Sequence, residues 1–512
     1  MSDRRELFTT LMGTLGLGSK PQSLVGGQLR DGNGSDIDLE DPYSRQILST
    51  YADCGAELAS IACDTAAAAQ AVWLKDFTAA HRGNVMQSCA AAIDRSAETL
   101  ATLEALVAGK PIRDCRLEVS KVAEMFRYYA GWSDKLHGEV IPVPSGHLNY
   151  TLREPIGVIF QITPWNAPVF TAGWQIAPAI ATGNAVVIKP SELTPVTSVA
   201  LVRVAEAAGL PEGLVNVLAG LGPTAGEAAI THEAIRKVVF VGSPETGRAV
   251  ATAAGRQLKP VVLELGGKSA NIVFPDADLD AACRGAQAAI FSAAGQSCVA
   301  GSRLLVHRDI EKQFLLMLES GMSKLTMGDP LDENTEIGPI SNVRQFRHVN
   351  DMLQQAVETE GGHKIAAKAP TSKGLFVAPT ILTGLHAGAT AATREIFGPV
   401  VTSLAFSDEA DAIRIANQTD FGLAGAVWTA DGGRAHRIAN AVRAGTFWIN
   451  SYKAIHVSSP FGGSRSSGFG RSSGTDALME YTNPKSVWVD TSSSPLITFG
   501  YAPDKRSDQE HK

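Results

Sequence analysis

"IGVIFQITPWNAPVFTAGWQIAPAIATGNAVVIKP", Ile156 to Pro190, decides the fold. Its two ends, "IGVIFQITP" and "NAVVIKP", are nearly continuous apolar runs, and the middle "AGWQIAPAIATG" reads as a helix that stops at Gly183. A strand buried on both faces gives a continuous apolar run, and a helix between two such strands makes them parallel. The alternation continues downstream. "PVTSVALVRVAEAAG" is a helix closed by Gly209, "LVNVLAG" a third strand, "TAGEAAITH" a short helix and "IRKVVFVGS" a fourth strand, followed by the helix "ETGRAVATAAGRQ". Strands covered by helices on both faces form an α/β fold with an open parallel sheet.

Working outward, Ala56 to Tyr129 is alanine-rich with helical periodicity. "HGEVIPVPSGHLNYTLREP" reads as two extended strands with turn signals at Pro142, Pro144 and Ser145-Gly146. A second α/β region runs from about Gly266 to Gly470, with the strands "SANIVF", "SRLLVH", "VTSLAF", "AGAVWT" and "GTFWIN". The tail returns to extended structure at "TNPKSVWVD". The segments 139–153 and 482–490 predict one small sheet built from distant parts of the chain, and such an arm, poorly buried alone, predicts an oligomer. The N-terminal "MSDRRELFTTLMGTLGLGSK" carries Arg4-Arg5 before a mildly apolar stretch, but Asp3, Glu6 and the lack of a cleavage signal argue against an export signal. It reads as a frayed, amphipathic extension.

At 512 residues the chain exceeds the size at which one core keeps growing, so two or three domains are expected. A 45% hydrophobic and 19% charged composition is that of a soluble globular protein. The net charge of −7 and scattered basic residues suggest no nucleic-acid surface. No apolar run approaches the roughly 20 residues of a spanning helix. Six cysteines without zinc-ligand spacing predict neither a disulfide framework nor a metal site, and a reducing, cytoplasmic setting is expected.

Four segments carry chemistry. Asn166 follows a strand in "PWNAP", Glu264 lies among apolar residues in "VVLELGGKSANIVF", Cys298 sits among small residues in "GQSCVAGSR", and "TREIFGPV" supplies Glu395 and Phe397. A loop at the carboxyl end of a parallel strand is where such sheets place ligands. A carboxylate in apolar surroundings suits a general base near neutral pH, a thiolate is a strong nucleophile, and an amide can hold an oxyanion. Each alone has an ordinary reading: a buried thiol, a strand-end carboxylate, a turn asparagine. "FVGSPETG" departs from G-x-G-x-x-G and is a weak dinucleotide fingerprint.

In this order and spacing the segments resemble the aldehyde dehydrogenase superfamily, over roughly Leu24 to Val489. The resemblance rests on "PWNAP", "ATGNAVVIKPSELTP", "GLPEGLVNVLAG", "FVGSPETG", "LELGGKSANIVF", "GQSCVAGSR", "EIFGPV", "ANQTDFGLAGAVWT", "GTFWIN" and "SPFGGSRSSGFGR". It implies a Rossmann-like cofactor domain (21–135 and 155–265), a second α/β catalytic domain (266–479) and a β oligomerisation arm (136–154 and 480–495). Residues 1–20 form the extension and 496–512 a polar tail.

The resemblance further implies that Cys298 is the nucleophile, Asn166 and the Cys298 N–H hold the oxyanion, and Glu264 activates the water that releases the acid. Lys189 and Glu192 are implied to meet the adenosine ribose, Gly242 and Ser243 the pyrophosphate, and Glu395, Phe397 and Trp165 the nicotinamide end. Glu192 favours NAD over NADP, because a carboxylate accepts from ribose hydroxyls and repels a 2′-phosphate. The implied substrate tunnel comprises Ala167, Phe170, Trp174, Ser292, Ser297, Ile455 and Phe461. Positions often aromatic in relatives are Ala167, Ser292 and Ile455 here, so a wide, partly polar mouth is expected, suited to a bulky or functionalised aldehyde. It lacks the aromatic cage a trimethylammonium group would want.

A Lys and a Glu that many relatives place on a proton path are Gln175 and Ser472 here, so Glu264 is expected to exchange its proton through water or backbone groups. A homodimer or homotetramer is the implied assembly. The alternatives are a CoA-acylating relative, against which Glu264 counts, and a catalytically silent one.

Overall fold

Two largely parallel sheets carry the chain, and Glu264–Gly267 passes from one to the other. The computed structural model describes residues 3–143 and 146–493. The polar tail from 496, the end of the arm at 494–495 and the turn signals at Pro144 and Ser145 lie outside the described residues.

In the first sheet five strands run parallel in the order Val261–Glu264, Ile235–Val241, Val158–Ile162, Ala185–Lys189, Val215–Val217. Antiparallel strands close both sides: Gly468–Phe469 on Val261–Glu264, and Ser23–Val25 with Gln28–Arg30 beyond Val215–Val217. The quoted segment folds as read. Val158–Ile162 and Ala185–Lys189 pair in parallel around the Pro168–Ala181 helix, which opens on Pro168 and ends before Gly183 at φ +89°. Chain order reverses between Val158–Ile162 and Ile235–Val241, which opens a crevice above their carboxyl ends. "TAGEAAITH" begins as a π-helical turn, Gly222–Gly226, and becomes α-helical only at Glu227–Thr231.

The second sheet runs His363–Ala366, Thr380–Thr383, Val400–Phe406, Arg303–His307, Ala270–Val273, Ala424–Trp428, Thr446–Ile449, with only the first strand antiparallel. Two apolar cores form, one centred on each sheet, and Ala424, Ala426 and Trp448 of the second sheet's strands pack into the first. The expected arm is present: Thr482–Asp490 pairs antiparallel with His147–Pro155 along its whole length, and Val140–Ile141 adds a short third strand.

Two sequence expectations need correction. The boundary at 479 is too late, because Gly468–Phe469 joins the first sheet and Phe461, Ala477 and Leu478 enter its core. The N-terminal extension is not frayed. Arg4–Thr14 is a helix capped by Asp3, and Phe8, Leu11 and Met12, at i, i+3, i+4 spacing, are buried. Arg4 lies 4.6 Å over the Tyr43 ring and pairs with Asp41 at 3.2 Å and with Asp329.

Candidate active site

A cleft of about 2950 Å³ lies between the sheets, and every residue expected at the nucleophile, cofactor and tunnel positions lines it. The crevice at the strand reversal supplies one wall: Trp165 and Asn166 follow Val158–Ile162, and Gly242 and Ser243 follow Ile235–Val241. Asn166 Nδ2 donates to Gln296 O at 2.9 Å, which ties this loop to the cysteine loop and leaves the second amide hydrogen available.

Cys298 follows a tight turn in which Ala293, Ala294 and Gly295 are all left-handed, at φ +53°, +52° and +71°. The sequence suggests that small residues here give clearance to ligands. Gly295 answers a different demand: a Cβ there would lie 2.0 Å from Gly398 O, so the loop packs backbone to backbone. Of the six cysteines, five are buried and Cys298 alone is partly exposed; all are free. Burial, then Glu395 and Glu264, push the Cys298 thiol up to about 12, against the Val299 N–H and Lys453, so the resting sulfur is a thiol.

Glu264 ends its strand at 4% exposure. Burial pushes its carboxyl up to about 8, against the Ser472 hydroxyl and Arg471. Ser472 Oγ donates to Glu264 Oε1 at 2.6 Å, so the residue at one of the two replaced proton-path positions touches the carboxylate directly. Ser472 sits in the segment that joins the first sheet late, which sequence spacing does not reveal.

Gly266 and Gly267 thread between the remaining groups. A Cβ on Gly266 would meet Glu395 Oε2 at 2.1 Å, and one on Gly267 would meet Cys298 O at 2.5 Å. Gly267 N donates to Glu395 Oε1 at 3.0 Å, and burial raises the Glu395 carboxyl to about 7. Phe397 is left-handed at φ +55° and meets Trp165 edge-on, ring centroids 5.4 Å apart. Gln345, unnoticed in the sequence, holds that strained loop by donating to the Ile396 and Phe397 carbonyls, both at 2.9 Å.

Farther along the cleft, Lys189 is buried and donates to Pro190 O and Gly220 O at 2.8 and 3.1 Å. Its ammonium is 3.9 Å from the Glu192 carboxylate, which stands 39% exposed in the cleft. Ser243 caps the 13-residue helix Pro244–Arg256, accepting from Thr246 N at 3.3 Å. On the tunnel side Phe170, Trp174 and Phe461 form one aromatic wall, with centroids 5.6 and 4.9 Å apart, and the Trp174 indole N–H donates to Ser473 Oγ. Ile455 is 39% exposed. Lys453, missed in the sequence, reaches into the same cleft and donates to Ser292 Oγ at 2.6 Å. Among the described residues no group of His, Cys, Asp or Glu is placed to hold a metal ion, and no helix is long and apolar enough to cross a membrane.

A thiol, a buried carboxylate and an amide thus share one cleft between two parallel-sheet units. A family model described as the aldehyde dehydrogenase family matches residues 29–487, and the chain belongs to that family. It is 43% identical to an aldehyde dehydrogenase from Aspergillus niger over 83% of this chain and 86% of that one. It is 42% identical to retinal dehydrogenase 2 from Homo sapiens, over 82% and 81%. The fold is similar to PnpE from Pseudomonas sp. WBC-3. With that protein's complex with nicotinamide adenine dinucleotide the TM-score is 0.90 at 41% identity, over 94% of this chain and 99% of that one.

Proposed function

We propose that this enzyme oxidises an aldehyde to a carboxylic acid with NAD, through Cys298 as nucleophile, Asn166 as oxyanion donor and Glu264 as general base. The observation that carries this reading is the meeting of all three on one cleft, with Cys298 the only cysteine that lines it. The Cys298 thiol gives up its proton to water in the cleft as the sulfur bonds to the aldehyde carbon, moving the carbonyl π electrons onto oxygen. The free Asn166 N–H and the Cys298 N–H stabilise that oxyanion. NAD, when bound, supplies the acceptor for the hydride. Collapse of the oxyanion leaves a thioester on Cys298. Glu264 then takes a proton from water as its oxygen attacks the thioester carbon, the C–S bond breaks, and the acid leaves.

The residues along the cleft fit a dinucleotide. A capped helix N-terminus at Ser243 suits a pyrophosphate, and Lys189 and the half-exposed Glu192 suit a ribose diol. Glu192 repels a 2′-phosphate, which favours NAD over NADP. Trp165, Phe397 and Glu395 would hold the nicotinamide end. The aromatic wall with an open, partly polar mouth suits a bulky or functionalised aldehyde. The presence of Glu264 supports hydrolysis rather than transfer to CoA. The apolar, exposed arm supports a homodimer or homotetramer, and six free cysteines support a cytoplasmic setting.

A panel of aldehydes with NAD, read as NADH formation and ranked by kcat/KM, tests the reading. No NADH from any aldehyde would overturn it.

A further inference from the structure

The tunnel carries one cation that the reaction outlined above does not use. Lys453 follows the Thr446–Ile449 strand in a left-handed conformation, φ +60°, a costly backbone for a residue with a Cβ. That backbone sends a half-buried side chain into the cleft that Cys298, Phe170 and Phe461 line. Its ammonium donates to Ser292 Oγ at 2.6 Å. Ser292 spends its own hydrogen on Ala288 O at 2.8 Å, so it is fixed as an acceptor and steers the ammonium. Among the described residues no carboxylate lies within ion-pair distance of Lys453, and two of its three N–H donors have no partner.

Desolvation lowers its pKa to about 8, only partly offset by Cys298 and Asp114. Those are the two charges that act to raise it. Asp114, on the Ile112–Ala130 helix, lies 3.6 Å from Arg113, which shares its charge. His456, three residues beyond Lys453, is held by Glu124 at 2.9 Å. A cation that is partly desolvated, unpaired and steered toward the substrate path is costly unless an anion arrives to meet it.

We propose that Lys453 is the specificity residue of the tunnel and that the preferred substrates are aldehydes bearing a carboxylate at the end remote from the reacting carbon. Ser292 aims the ammonium, Phe170, Trp174 and Phe461 cover the apolar spacer, and the remaining Lys453 hydrogens bond the distal carboxylate. The inference rests on the aldehyde-oxidising reading of Cys298.

The test pairs each semialdehyde with its uncharged counterpart: succinic semialdehyde with butanal, adipic semialdehyde with hexanal. In the parent enzyme the charged member of at least one pair has the higher kcat/KM, by about tenfold or more. Lys453→Met collapses that ratio, Lys453→Glu inverts it and Lys453→Arg keeps most of it. The ratio also falls as pH rises through about 8, where the ammonium loses its proton. No preference in the parent enzyme, or a ratio that Lys453→Met leaves unchanged, would overturn the proposal. A second readout needs no aldehyde: alkylation of Cys298 by iodoacetate against neutral iodoacetamide, whose rate ratio Lys453→Met lowers. If no aldehyde yields NADH while that ratio still responds to Lys453, the oxidation reading fails and the anion selection stands. If NADH forms and neither ratio responds, the anion selection fails alone.

Discussion

Ser472 Oγ donates to Glu264 Oε1 at 2.6 Å across 208 positions of sequence. The bond stabilises the charged carboxylate, while burial and Glu480 oppose it. The candidate base is therefore mostly protonated at neutral pH and becomes competent as pH rises through about 8.

Ser472→Ala removes the group that lowers this pKa. The limb of the kcat–pH profile on which activity rises moves to higher pH by up to about one unit. Steady-state kinetics across neutral and alkaline pH measure it. An unmoved limb would show that Ser472 does not tune the base.

Cys298→Ala and Glu264→Gln separate the two halves of the reaction. The first lowers NADH formation by roughly three orders of magnitude or more, because no thioester forms. The second gives a rapid burst of NADH of about one equivalent and then slow turnover, since water is no longer activated. Stopped-flow absorbance distinguishes them, and full steady-state turnover in Glu264→Gln removes that residue from the mechanism.

Asn166→Ala costs roughly 10²- to 10³-fold in kcat, the usual cost of deleting one oxyanion donor. It also breaks the 2.9 Å bond to Gln296 O, so thermal unfolding of the same variant is measured beside its rate. A rate loss without a matching stability loss assigns Asn166 to the reaction.

Glu192→Gln keeps the shape of the cofactor end and removes its negative charge. The preference for NAD over NADP in kcat/KM falls, by about tenfold. An unchanged cofactor ratio would place the discrimination elsewhere.

Trp488 is 57% exposed on the arm, with Val489, Leu148 and Leu152 also exposed. Trp488→Asp, alone or with Leu148→Asp, lowers the mass measured by analytical ultracentrifugation if the arm is the subunit contact. An unchanged mass would assign assembly to another surface.

Much of this site is legible in the sequence because its parts follow strands. The run from Ile156 to Pro190 reveals a parallel strand pair, and the loop between strand and helix places Asn166 at the crevice. Cys298, Glu264 and Glu395 stand out as reactive types in small-residue or apolar settings. The groups that act on them do not. Gln345 and Lys453 are ordinary polar residues in their segments, Ser472 stands out only as a replaced proton-path position and not as a donor to Glu264, and their contacts depend on long-range closure that no local periodicity encodes. The N-terminal helix is hard to read for the same reason. Three apolar residues make a weak amphipathic signal until the surface that buries Phe8 and Met12 is known.

The pairing of Gly468–Phe469 with Leu263 and Glu264 also bears on biosynthesis. The strand holding Glu264 is complete before the second sheet begins, but its outer neighbour emerges only after every strand of that sheet has been made. Contacts of such long sequence separation form slowly, because loop closure precedes their reward. During translation the first sheet waits with Val261–Glu264 unprotected on one side, a period in which chaperone binding or premature strand pairing competes with native closure. A nascent chain that ends before Gly468 contains Cys298, Asn166 and Glu264, yet it leaves that strand open and the carboxylate without its hydroxyl.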